Sequence, residues 1–137
     1  MNRIVIDASV TLSWCFPDEQ TDSSLSVLSR LQSGEQALVP VFWAVEVLNS
    51  LMVGERRGRI TAEQSGEFLN ALKILSPAFD YASLDQVVGP VQIICRDRGL
   101  TPYDALYVEL AQRSGWPLAT LDQPQREAAS ALGVHCL

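Results

Sequence analysis

One histidine and one lysine among 137 residues leave little material for several common chemistries. His135 falls in a predicted strand near the end of the chain, with no serine or cysteine nucleophile motif beside it, so a histidine-based hydrolase is excluded and the residue is structural. Lys73 falls in a predicted helix, which excludes a phospho-acceptor signalling domain, since that module needs a lysine after a late strand. Cys15, Cys95 and Cys136 form neither a CxxC pair nor a Cys/His cluster, so neither a disulfide framework nor a zinc centre is expected and a reducing compartment is. Apolar runs are short, none has the shape of a signal peptide and none approaches a membrane span, so a cytoplasmic protein with no membrane contact is expected. Aromatics are sparse as well. Trp14, Trp43, Trp116 and Phe42 lack the spacing of a base-stacking ladder and are read as core or interface.

What is present fits one domain over residues 1–137, long enough to bury roughly two thirds of the surface of the unfolded chain. Arg3–Ile6 reads as a strand and 8–16 as a helix stopped by Pro17. A helix is expected over 24–31, with apolar residues at Leu25, Leu28 and Leu31, and a second strand over 37–39. After Pro40 the positions Val41, Ala44, Val45, Leu48, Leu51 and Met52 follow the helical period. A further helix starts from Thr61 as its N-cap and ends at Pro77. A strand at 79–82, helices at 84–98 and 102–113, a strand at 118–121, a helix at 124–132 and a last strand at 134–136 complete the order. Strands alternating with helices predict an α/β fold with a mainly parallel central sheet flanked by helices, whose ligand sites lie beyond the carboxyl ends of the strands.

Four acids stand out because each is alone. Asp7 is the one charge between Arg3 and Asp18, Glu46 the one between Glu35 and Glu55, Asp104 the one between Arg98 and Glu109, and Asp122 the one between Arg113 and Arg126. An ionised carboxylate in an apolar run needs a donor, a cation or an ion from elsewhere in the fold. A divalent metal is one such partner, and oxygen-only ligands suit Mg²⁺ or Mn²⁺ far better than zinc. Each acid also has a purely structural reading. Asp7 caps a helix beginning at Ala8, Thr101-Pro102-Tyr103-Asp104 has the form of a capping box with proline at the first helical position, and Asp122 starts the next helix. Glu46, in the middle of its expected helix, has no capping duty. Its structural reading is a buried ion pair with a distant arginine.

The runs VIDASV, PVFWAVEVLNSL, RRGRIT, LTPYDALYVELA and LATLDQPQREAASALGV stand in the order seen in PIN-domain proteins, and the chain resembles in particular toxins of the VapC type. The resemblance spans Arg3 to Cys136. It implies a single PIN-like domain and a metal-dependent endoribonuclease in which Asp7, Glu46, Asp104 and Asp122 are both catalytic and metal-binding. It also implies cleavage that leaves a 5′-phosphate and a 3′-hydroxyl on an RNA such as tRNA or rRNA, a small cognate antitoxin covering the acidic site, and assembly from a homodimer. Thr120 matches a hydroxyl position common beside the metal. Asn49, one turn after Glu46, matches a frequent asparagine that orients that carboxylate, and Ser9 does the same for Asp7. Gln123, Pro124 and Gln125 stand where some relatives carry a further acid, which leaves one metal or two open.

The charge balance is compatible with this reading without favouring it. Sixteen acids against ten bases give −6, but with four carboxylates set around cations the remainder is 12 against 10. Arg56, Arg57 and Arg59 form the sole basic cluster, read as a solvated helix end or, by the resemblance, a contact for RNA or a partner. A phosphatase of the haloacid-dehalogenase type needs a second aspartate two residues after Asp7, where Ser9 stands. The remaining alternative is a catalytically inactive PIN-fold protein acting through protein contacts.

Overall fold

The computed structural model describes residues 2–137. Four strands form one sheet in the order β3-β2-β1-β4: β1 Arg3–Ile6, β2 Gln36–Pro40, β3 Ala78–Asp80 and β4 Leu118–Ala119. Every pairing is parallel, with Ile4 opposite Ala37, Val5 opposite both Leu38 and Leu118, and Val39 opposite Phe79. Parallel neighbours require crossovers, and helices supply them: α1 Ala8–Ser13, α2 Asp22–Gln32, α3 Trp43–Arg56, α4 Ala62–Leu75, α5 Leu84–Gln86, α6 Gln92–Arg98, α7 Pro102–Ser114 and α8 Gln123–Ala131. Ile4, Val5 and Ile6 of β1 and Ala37, Leu38 and Val39 of β2 are fully covered, so these central strands read as continuous apolar runs rather than alternating ones. Val47 and Leu51 of α3 and Tyr107, Val108, Leu110 and Ala111 of α7 pack into the same core.

Several expectations are corrected. Helix α1 ends at Ser13 rather than Phe16, and Pro17–Glu19 forms a single 3₁₀ turn. Proline cannot donate to a helical ladder, and the residue before it avoids the α region: Phe16 is extended, at φ −106° and ψ 103°. The expected helix at 84–98 is continuous but passes through a π-helical stretch, Val87–Val91, which accommodates Pro90 inside it. The strand expected at 79–82 runs from Ala78 to Asp80, and β4 keeps only two of the four expected residues. The strand expected at 134–136 shrinks to one bridge between Leu118 and Cys136. Gly133 at φ 82° turns the chain immediately before that edge, leaving little length in which to build a ladder.

The helix boundaries follow capping chemistry. Thr21 and Thr61 each accept from the backbone amide three residues on and complete reciprocal capping boxes with Ser24 and Gln64. Gly99 and Gly115, at φ 67° and 77°, take the left-handed conformation that ends α6 and α7. No helix among the described residues is long and apolar enough to cross a membrane.

Candidate metal centre

The four isolated acids all lie at helix N-termini. Asp7 leaves the carboxyl end of β1 and is the N-cap of α1, its Oδ1 accepting from the Val10 amide at 3.0 Å. Asp122 follows β4 and caps α8, its Oδ2 accepting from the Gln125 amide at 3.1 Å. Asp104 occupies the third position of α7, behind the Thr101 cap and Pro102. Glu46 corrects its expected place. Because α3 begins only at Trp43, Glu46 sits in the first turn rather than mid-helix, where the positive end of the macrodipole favours a carboxylate. The capping readings of Asp7 and Asp122 are therefore correct as far as they go. They do not explain why four such termini lie near one another.

Their mutual effects show that they do. Burial pushes the Asp7 carboxyl above its usual range; hydrogen bonds from Thr120, Val10 and Ser9 pull it back, and nearby Asp122 adds to the rise. Glu46 is raised first by desolvation, against its bond from Tyr107, and then by Asp104 and Asp7. Asp104 is raised by desolvation and by Asp122, with Thr101 opposing. None of the four takes part in any ion pair among the described residues. The distant arginine required by the structural reading of Glu46 is not there. As they lie, no three His, Cys, Asp or Glu side chains among the described residues are close enough to enclose an ion.

Neutral donors hold the acids instead. Ser9 Oγ donates to Asp7 Oδ1 at 2.7 Å and accepts from the Leu121 amide at 3.0 Å, tying the start of α1 to the segment after β4. Thr120 Oγ1 donates to Asp7 Oδ2 at 2.5 Å and accepts from the Asp122 amide at 3.0 Å. Both hydroxyls thus bond the Asp7 carboxylate. Thr11 Oγ1 donates to the Asp7 carbonyl at 2.8 Å and accepts from the Trp43 indole at 3.0 Å, so the first residue of α3 is anchored to the Asp7 turn.

Asn49 is a correction. It forms no hydrogen bond with Glu46 and lies exposed, lining a small cavity with Glu19, Arg57 and Arg59. Helical side chains lean toward the N-terminus, so Glu46 tilts away from the turn that carries Asn49. Its partner is Tyr107 on α7, whose phenol donates to Oε1 at 2.6 Å. Burial and this bond push the phenol far above its ordinary range, so it remains a donor. The sequence held a signal for Tyr107: it lies three residues after Asp104 and so shares its helix face. Gln125 was also missed. Its buried side chain donates from Nε2 to the Asp104 carbonyl at 3.2 Å, joining the starts of α7 and α8.

The features set aside behave as expected or more plainly. Arg59 is committed to Asp18 and Glu19 and stacks 4.3 Å over the Phe16 ring, while Arg56 and Arg57 are exposed. Trp43 is core, His135 is exposed and all three cysteines are free.

The donor set fits a hard divalent cation: carboxylate oxygens with hydroxyl support, and neither imidazole nor thiolate. Comparison with known proteins agrees with the fold that builds it. The chain is 28% identical over 130 residues to Ribonuclease VapC3 of Pyrobaculum aerophilum, covering 95% of this chain and 97% of that one. A solved protein of the same organism superposes with a TM-score of 0.73 at 21% identity, covering 98% and 83% of the two chains. VapBC2 from Rickettsia felis, solved bound to a DNA fragment from their promoter, gives 0.58 at 13% identity, covering 98% and 97%. Residues 4–131 match the family model of the PIN domain, and with the all-parallel sheet and the order of its elements the chain belongs to the PIN-domain family.

Proposed function

We propose that this protein is a Mg²⁺- or Mn²⁺-dependent endoribonuclease, the toxin of a toxin-antitoxin pair, with Asp7, Glu46, Asp104 and Asp122 as the ligands of its metal. The observation that carries the reading is the convergence of four carboxylates at four helix N-termini with no cationic side chain among them. Such a cluster costs folding energy unless a cation joins it. The similarity to a protein named as a ribonuclease supports RNA as the substrate.

When bound, a divalent ion supplies positive charge to a phosphodiester and acidifies a neighbouring water. The chain's own residues prepare for that. Ser9, Thr120 and the Val10 amide fix both oxygens of Asp7, and Tyr107 fixes one oxygen of Glu46. The α7 and α8 termini hold Asp104 and Asp122, and Gln125 keeps those termini in register. With Asp7 and one oxygen of Glu46 already fixed by hydrogen bonds, fewer side-chain torsions are left to order when an ion binds.

The resemblance to VapC-type toxins supports a cognate antitoxin, a homodimer and a cytoplasmic location. An apolar groove of about 690 Å³ between α3 and α4, lined by Trp43, Val47, Leu48, Leu69 and Phe79, lies on the helix that carries Glu46 and suits an apolar segment of such a partner. The test is to incubate the purified protein, stripped of any partner, with tRNA and rRNA. Cleavage is expected with Mn²⁺ or Mg²⁺, loss with chelator and recovery when Mn²⁺ is restored. Cleavage that survives complete chelation overturns the metal reading. Absence of cleavage under every condition favours the inactive relative that acts through contacts alone.

A further inference from the structure

A buried phenol needs a hydrogen-bond partner, and most side-chain hydrogen bonds go to the backbone or to water. Tyr107 is 1% exposed, yet its hydroxyl is spent on the half-buried carboxylate of Glu46, 61 positions earlier in the chain. The placement is built from both sides. Tyr107 and Asp104 share one face of α7, so a single helix presents one acid directly and holds a second through a hydroxyl. Its ring meets Phe42 edge-to-face, with centroids 5.5 Å apart. The Phe42 carbonyl accepts from the Glu46 amide at 2.9 Å, so the aromatic contact and the phenol bracket the first turn of α3. The phenol binds Oε1 alone, and among the described residues no other side chain or backbone donor bonds the Glu46 carboxylate.

We infer that Tyr107 is a positioning residue: by occupying Oε1 it turns Glu46 into a one-oxygen ligand that meets a divalent cation through Oε2. This rests on the metal reading above and deepens it, because it says which ions the site prefers. Mg²⁺ and Mn²⁺ are small and favour octahedral coordination by single oxygens, whereas Ca²⁺ accepts a carboxylate through both. A glutamate with one oxygen already bonded favours the smaller ions.

The experiment is a thermal melt of the whole unmodified protein and of Tyr107→Phe, first without metal and then across a series of Mn²⁺ and of Ca²⁺ concentrations. Without metal the two proteins are expected to melt within a few degrees of each other, since the ring and its contact with Phe42 remain. The Mn²⁺ concentration giving half-maximal stabilisation should rise about 10–100-fold in the variant. The Ca²⁺ concentration should rise less, so the preference for Mn²⁺ over Ca²⁺ falls. An unchanged Mn²⁺ midpoint overturns the inference alone. So does equal weakening toward both ions, which would mean a loosened crevice, and so does a variant that fails to fold, which would make the hydroxyl a requirement of the fold. No response to Mn²⁺ in the unmodified protein overturns the metal reading and the inference with it.

Discussion

Glu109 and Asp7 are nearly equally buried, at 3% and 4% exposure, and the molecule treats them in opposite ways. Glu109, midway along α7, is bonded by Arg113 Nε at 2.7 Å one turn later, and the same guanidinium reaches Asp80 at the end of β3 at 2.6 Å. The two carboxylates in turn hold the Arg113 guanidinium above its ordinary range. Among the described residues Asp7 has no such partner; hydroxyls and an amide bond it, which leave its charge uncancelled. The fold is therefore able to pair a buried acid with a cation and does so ten residues or fewer from Asp104. What the crevice lacks is a positive charge, and hydrogen bonds alone do not replace it. One region spends its acids on stability, and the other keeps them in reserve.

The largest effect should come from removing a reserve acid. Asp7→Asn or Asp104→Asn keeps volume and much of the capping ability but weakens any ion held there, and cleavage of RNA should fall by about a thousandfold or more while the domain still folds. Gel assays with Mn²⁺ check this. Cleavage at the unmodified rate would make the crevice as structural as the Glu109 cluster. Next in size is the converse change. Arg113→Leu leaves Glu109 buried beside Asp80 with no cation, at a cost of about 2–4 kcal/mol given that Arg113 is itself 35% exposed. The melting temperature should drop on the order of 10 °C, at roughly 3 °C per kcal/mol for a chain of this length.

Metal should separate the regions further. At a hundredfold excess over its dissociation constant, Mn²⁺ binding only the folded form stabilises by about 2.7 kcal/mol. Arg113→Leu should gain as much from it as the unmodified protein does, and Glu46→Gln much less, as read in melts with and without the ion. In metal-free melts at neutral pH, Glu46→Gln should raise stability by a few degrees, because it removes a charge that its surroundings disfavour; a decrease would mean that the macrodipole of α3 outweighs burial and repulsion. The smallest effect is on pH dependence. Asp7, Glu46 and Asp104 have folded-state pKa values raised above their unfolded ones, so each contributes stability that is full below the ordinary carboxylate range and is lost as pH climbs through the raised value. Glu35, held down by Arg30, works the other way: its contribution is present above the ordinary range and lost as pH falls through its lowered value. Metal-free protein should therefore melt higher slightly above the ordinary carboxylate range than at neutrality, and Mn²⁺ should erase the difference. A melt series over pH, with and without the ion, measures it.

The same contrast explains what could be read without coordinates. Asp7, Asp104 and Asp122 were visible because a lone charge after a strand or behind a threonine-proline start is an unusual local pattern, and local patterns survive in sequence. The parallel order of strands followed from their alternation with helices. The spacing from Asp104 puts Tyr107 on the right helix face but does not say which carboxylate its hydroxyl meets, and Gln125, a glutamine after a proline, looks like any helical residue until a tertiary neighbour gives it a task. Asn49 shows the matching limit: one turn along a helix is not contact, and the Glu46 carboxylate leans the other way. The last strand failed because pairing at a sheet edge depends on how much ladder the neighbour offers, and β4 offers two residues.

Ser9 and Thr120 each do two opposite things at once, donating a hydrogen bond to Asp7 and accepting one from a backbone amide. Few side chains have that bilingual property. Alanine and valine do neither, a carboxylate only accepts, lysine and arginine only donate, and an amide side chain splits the roles between two atoms about 2.3 Å apart. Tyrosine does both but is too large for these buried or part-buried places, and cysteine does both only weakly, so the alphabet at these two positions shrinks to serine and threonine. A randomised library selected for a working site should return hydroxyls at 9 and 120 almost without exception, while position 49 drifts through most of the genetic code.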